Sequence, residues 1–342
     1  MYGIACTGQL AHNVVFHLGH NMTNLHPIAL TYILAPFGLV FGSFANVLIH
    51  RLPQERAEDR NVVTVPSHCP GCGKNIRWFH NIPVVSWLWL RGKCAACGWG
   101  IPFRYPLVEL LAAALFGAAH WVFPFGTLIW IKGLICGYAL IVLFFTDLTE
   151  YILPDVLQFP LMALGLLFTL PQVFWPDTAI NLVMGENGAV QTYVAPMFHN
   201  GLQDAPARWV MWGGCVTWKA SLIGLLAGYG FPWAFNFAYV KIRNAVAVGM
   251  FHKEPLETGM GMGDFKMLAW LGAFWGWASM LGILFVGVTI MCVSVLPTHF
   301  LRRRSGRTLY PLGCGLALAT PIVVFWGPRL WRIYQNTVGN GL

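Results

Sequence analysis

Residues 267–296 read "MLAWLGAFWGWASMLGILFVGVTIMCVSVL", thirty positions without one charged side chain. Soluble domains carry about 25% charged residues, so a run of this length belongs in hydrocarbon. The whole chain agrees: 57% of its 342 residues are hydrophobic and 10% are charged, with a mean hydropathy of +0.60. Thirty helical residues extend about 45 Å, longer than the ~30 Å hydrocarbon core. The run therefore predicts two short crossings joined by a tight turn near 279–282. Working outward, uncharged or nearly uncharged segments recur at 28–49, 107–123, 126–146, 152–172, 214–240 and 308–328. The expectation is an all-α polytopic membrane protein with about eight transmembrane helices.

The basic residues test this count. With eight crossings, 50–106, 147–151, 241–266 and 302–307 lie on one side and hold 16 of the 21 Lys and Arg residues. The positive-inside rule makes that side cytoplasmic. A seven-helix chain would send Arg302, Arg303 and Arg304 outside, which counts against it. The formal charge of +8 is thus read as membrane orientation, and no nucleic-acid partner is expected. The first 27 residues lack Lys and Arg and do not resemble a cleavable signal peptide, so the first span is expected to be an uncleaved anchor. Three regions follow: 1–49 with the first helix, a cytoplasmic domain over 50–105 between helices 1 and 2, and a membrane-embedded domain over 106–342. The last includes an outer loop near 173–213 with no motif that can be read.

Nine cysteines divide into two groups. Cys6, Cys136, Cys215, Cys292 and Cys314 are scattered, mostly in apolar segments, where free cysteine behaves as a small hydrophobe. The other four sit in "CPGC" (Cys69, Cys72) and "CAAC" (Cys94, Cys97), 21 residues apart. Paired knuckles at this distance supply four thiolates to tetrahedral zinc. A redox dithiol is the other reading, but a reducing cytosol disfavours disulfides as the resting state. Four protein ligands leave no open position, so the metal is expected to fold the domain and not to catalyse.

Only 13 acidic residues exist, so each position carries information. In "FFTDLTEYILPD" Asp147 closes one span and Asp155 opens the next. Asp155 follows a proline at a helix start, where a carboxylate faces the positive end of the dipole. Glu109 lies in the first turn after "RYP", with Arg104 as a candidate partner. Asp147 has no such support, since negative charge is disfavoured at a helix C-terminus. Asp264, in "GMGMGDFKM" (259–267), is placed to cap a helix, but three alternating glycines also let its backbone approach another chain closely. A dinucleotide fingerprint fails there for want of a preceding strand. Two aspartates meeting at one depth share a proton; one takes a proton from water while the other donates to a scissile amide. A proton relay in a transporter is the alternative use of intramembrane carboxylates. The acids lie at the membrane edge and no inverted repeat is evident, which counts against transport.

Together these motifs resemble the bacterial prepilin peptidases, the type IV leader peptidases, which are GxGD-type aspartic proteases of the membrane. The resemblance rests on "GSFANVLIHRLP" (42–53), the two cysteine knuckles, "NIPVVSW" (81–87), "RYPLVEL" (104–110), "DLTEYILPD" (147–155) and "GMGDFK" (261–266). It implies that Asp147 and Asp264 are the catalytic pair, favouring Asp147 over Asp155. It implies cleavage of the basic leader of prepilins and pseudopilins at the cytoplasmic face of the bacterial inner membrane. The cysteine-bearing section accompanies members that also methylate the new N-terminus with S-adenosylmethionine, so both activities are expected. No methyl-donor fingerprint is visible in the sequence. The outer loop of about 40 residues is longer than the family pattern leads one to expect.

Overall fold

The computed structural model describes residues 27–54, 61–62, 65–123, 128–170, 218–251, 259–302 and 311–338. The N-terminal segment, the outer loop 173–213, Cys6, Cys215, Arg303, Arg304 and Arg307 lie outside them. Among the described residues the structure is helical: α1 (Pro27–Arg51), a 3-10 turn (Trp78–Asn81), α2 (Val85–Trp89), α3 (Arg104–Val122), α4 (Leu128–Glu150), α5 (Asp155–Leu167), α6 (Trp218–Phe251), α7 (Met262–Arg302) and α8 (Leu312–Val338). Two isolated β-bridges, His68 with Asn75 and Lys93 with Gly100, are the only extended pairings there. Among the described residues four stretches are long and apolar enough to cross a membrane: Pro27–Arg51, Arg104–Val122, Ile129–Glu150 and Met262–Ser294. Asp155–Leu167 and Leu312–Gly327 are shorter apolar helices.

The chain forms two compact units, whose boundaries fall inside α1 and α4. The first contains 27–48 and 62–138. Within it α1 and α3 approach closely: a Cβ added at Gly38 would lie 2.5 Å from the Ala112 carbonyl oxygen. Small residues allow such backbone contact between membrane helices. Glu109 on α3 is buried, and its Oε2 accepts the backbone N–H of Val84 at 2.7 Å. The expected Arg104 pairing is therefore replaced by a backbone donor, and Arg104 lies over the Tyr105 ring at 5.4 Å. The reason is local: Val84 has φ 60°, costly for a β-branched residue, and the carboxylate fixes its N–H.

The second unit holds 49–61, 139–170 and the described residues from 218 onward. Helix α7 is its centre. Phe265, Met267, Leu268, Trp270, Leu271, Phe274, Met280 and Ile283 are all 0–1% exposed, because α5, α6 and α8 pack around it. A helix enclosed on several sides is apolar all round, which accounts for the uncharged residues up to Trp275, whereas Trp277, Phe285 and Val293 are exposed side chains of an apolar stretch long enough to cross a membrane. Gly224 and Gly272 bring α6 and α7 into backbone contact, and Ser221 Oγ donates to the Ala273 carbonyl at 2.6 Å. The turn expected at 279–282 is absent: those residues are helical, with Ser279 and Met280 fully buried. The break falls earlier, at Gly276 (φ 81°, ψ 165°), a conformation that only glycine adopts at low cost.

Candidate active site

Asp147 lies in the last turn of α4 and is 4% exposed. Its own helix end disfavours a negative charge there. The first turn of α8 supplies the compensation. The Cys314 backbone N–H donates to Asp147 Oδ2 at 2.9 Å, so the carboxylate meets the positive end of a second helix dipole. Gly313 makes this approach possible, since an added Cβ would sit 2.8 Å from the same Oδ2 and 3.1 Å from Leu153 Cδ1. The Cys314 thiol donates to the Phe144 carbonyl at 3.3 Å, tying α8 to α4 one turn earlier.

Asp264 stands in the first turn of α7. The glycines before it have separate physical roles. Gly259 N–H donates to Asn236 Oδ1 at 2.9 Å, anchoring the approach to α6. A Cβ at Gly261 would lie 3.1 Å from Asp264 Oδ2, and one at Gly263 would lie 2.9 Å from Leu153 Cβ. Leu153 thus fills the space beside both Gly263 and Gly313. The segments carrying two aspartates 117 positions apart in sequence therefore meet at one side chain. Asp155 opens α5, as expected for a helix-start carboxylate, and accepts Lys266 Nζ at 2.6 Å. That ion pair fixes the lysine two residues beyond Asp264.

In the first unit the four knuckle cysteines come together. Each knuckle is closed by the same pair of backbone bonds: Cys69 N–H to the Lys74 carbonyl and Gly73 N–H to the Cys69 carbonyl in one, Cys94 N–H to Trp99 and Gly98 N–H to Cys94 in the other. Gly73 and Gly98 take φ of 68° and 74°, the left-handed turn that favours glycine. All four sulfurs lie within 4.8 Å of one another, with Cys69 and Cys97 Sγ 3.9 Å apart. A tetrahedron of Zn–S bonds near 2.3 Å needs sulfurs about 3.8 Å apart, so the residues fit zinc. The backbone N–H groups of Ala96 and Cys97 bring the Cys94 thiol down to about 6. Cys97 goes up to about 11: the Trp99 N–H lowers it, but desolvation and the thiols of Cys72, Cys94 and Cys69 together outweigh that. Crowded thiols do not all ionise unless a cation neutralises them. Metal analysis is expected to find about one zinc per chain, and Cys72→Ser to lower zinc content and thermal stability together. A folded wild-type protein free of metal would contradict this.

Comparison with known proteins places the chain in one family. Residues 37–123 match the Bacterial Peptidase A24 N-terminal domain, and residues 192–296 match the Type IV leader peptidase family. Proteins called prepilin leader peptidase/N-methyltransferase align along most of their length. That of Aeromonas salmonicida is 32% identical, over 88% of this chain and 92% of its own. That of Pseudomonas aeruginosa is 32% identical over 92% and 96%, and that of Neisseria gonorrhoeae 30% over 91% and 96%.

The chain belongs to the type IV leader peptidase family.

No solved structure matches. In this leader peptidase family member Asp264 and the four cysteines fall inside the matched stretches, whereas Asp147 falls between them. Gly313 and Cys314 lie beyond both, and sequence reading missed them, treating Cys314 as a small core hydrophobe. The available signal was glycine at the start of the last apolar segment, in "YPLGCGLA" (310–317).

Proposed function

We propose that this family member is a membrane aspartic endopeptidase of the inner membrane that removes the leader from type IV prepilins and pseudopilins, then N-methylates the exposed N-terminus. The observation that supports the reading is that Leu153 abuts both Gly263, the neighbour of Asp264, and Gly313, whose Cβ position meets Asp147 Oδ2. In the proposed reaction one carboxylate takes a proton from water as the water oxygen attacks the scissile carbonyl. The other, protonated, gives its proton to the departing amide nitrogen. Backbone N–H groups at the start of α8 hold Asp147 in place, and Gly261 leaves room for the Asp264 carboxyl. A transport reading finds no comparable support, since the relatives are named for peptidase and methyltransferase activity.

The rest of the reading follows the same division of the chain: a span within 1–49, a zinc-folded cytoplasmic domain over 50–105, and a peptidase domain over 106–342. It has about eight crossings, with the aspartates at the cytoplasmic face. S-adenosylmethionine supplies the methyl group. The acceptor is the α-amine released by cleavage, so uncleaved prepilin offers nothing to methylate. Purified protein incubated with a prepilin and labelled methyl donor is expected to yield leader, mature pilin and label on mature pilin alone. Cleavage without label would remove the methylation half of the proposal, and no cleavage would remove the first half.

A further inference from the structure

From Asn61 to Val108 the chain has no acidic residue and five basic ones. Four of these, Lys74, Arg77, Arg91 and Lys93, are exposed on the cysteine-bearing section, and no carboxylate pairs with them among the described residues. Between them lie the 3-10 turn Trp78–Asn81 and α2, which pack against each other. These two short elements bury none of their residues. Trp78 is 81% exposed and Trp89 84%, with Leu88 at 62% beside them. The exposed apolar side chains of the spanning helices are covered by lipid, but this section lies outside every spanning stretch. Its C-terminal end runs directly into one at Arg104, and nine residues, Glu55, Glu58 and Asp59 among them, separate its N-terminal end from the other at Arg51.

We propose that this face docks on the anionic surface of the bilayer, with Trp78, Leu88 and Trp89 entering the headgroup layer and the four basic side chains meeting lipid phosphates. Three features select lipid over a protein partner. The charge is of one sign, matching an anionic sheet. Tryptophan with neighbouring Arg and Lys is the composition of membrane interfaces, where indole rings settle at headgroup depth. The section is tethered at both ends to helices that emerge from the bilayer, so contact requires no diffusive encounter. Docking would fix the height of the cysteine knuckles, the first ending six residues before Trp78 at Cys72 and the second beginning five residues after Trp89 at Cys94.

The test compares the full-length protein in nanodiscs of phosphatidylcholine alone with discs containing phosphatidylglycerol, one protein copy per disc. Hydrogen exchange is read over residues 74–93. Exchange is expected to be at least about tenfold slower in the anionic discs, since each juxtamembrane Lys or Arg contributes up to about fivefold at an anionic surface and four are present. Arg77→Gln with Arg91→Gln is expected to move the anionic value most of the way toward that in phosphatidylcholine, with Lys74 and Lys93 retaining the remainder. Trp78→Ala with Trp89→Ala is expected to raise exchange in both discs while zinc content stays at the wild-type level. The lipid comparison uses wild-type protein, so a variant that fails to fold does not decide the outcome. Equal wild-type exchange in the two lipids would overturn the proposal. So would protection that appears only on adding prepilin, which would assign the face to substrate.

Discussion

Asp147→Asn and Asp264→Asn are each expected to lower leader cleavage by at least about 10³-fold, the scale of general acid–base catalysis and beyond. Asparagine keeps the shape of the side chain and removes the titrating group, so a proton can be neither taken from water nor returned to the amide. The doubly substituted protein is expected to be scarcely worse than either single variant, because groups that act as a unit are not additive. Asp155→Asn serves as the contrast. Its carboxylate is 53% exposed and bound to Lys266, and a pair this open contributes about 0–1 kcal/mol. A small loss of stability with cleavage within a few-fold of wild type is expected. Kinetics on a synthetic prepilin, with zinc content as the measure of folding, distinguish the cases.

Gly313→Ala is expected to cost about 10²-fold in kcat with little change in KM. The added Cβ meets Asp147 Oδ2 at 2.8 Å and Leu153 Cδ1 at 3.1 Å. Leu153 in turn abuts Gly263, so the carboxyl is the group with freedom to move. Misplacing a reacting group by about 1 Å has an effect of this size. Cys314→Ala is the comparison: it keeps the backbone N–H that holds Asp147 and removes the thiol, including its bond to Phe144, worth about 1 kcal/mol. Its expected result is slightly lower stability and a smaller loss of cleavage than Gly313→Ala. A wild-type kcat for Gly313→Ala alongside an inactive Asp147→Asn would mean that the carboxyl tolerates displacement.

Which features could be read from the sequence depended on the range of the interactions behind them. The cysteine knuckles are local: their ligands, turn glycines and closing hydrogen bonds lie within six residues of one another, and the sulfurs gather as the spacing indicates. Asp264 announced itself through flanking glycines, and Asp155 through the proline before it. The support for Asp147 comes from 167 positions away, so periodicity near residue 147 contains no trace of it. The family resemblance, not the spacing, separated Asp147 from Asp155. The break in α7 was misplaced for a similar reason. Length alone asks for a turn, but packing against α5, α6 and α8 keeps 279–282 helical and leaves Gly276 as the residue able to leave the helix. Glu109 was correctly placed in the first turn of its helix, yet its partner is the strained Val84 backbone, a conformation no composition rule displays.

The most direct measurement is the intact mass of a prepilin after incubation with purified Asp264→Asn protein and labelled methyl donor, beside a peptide that already lacks its leader. The account predicts that the prepilin keeps its full mass, while the precleaved peptide gains one methyl group as it does with the wild type. Removal of the leader by Asp264→Asn at near the wild-type rate would contradict the assignment of Asp147 and Asp264 as the proteolytic pair.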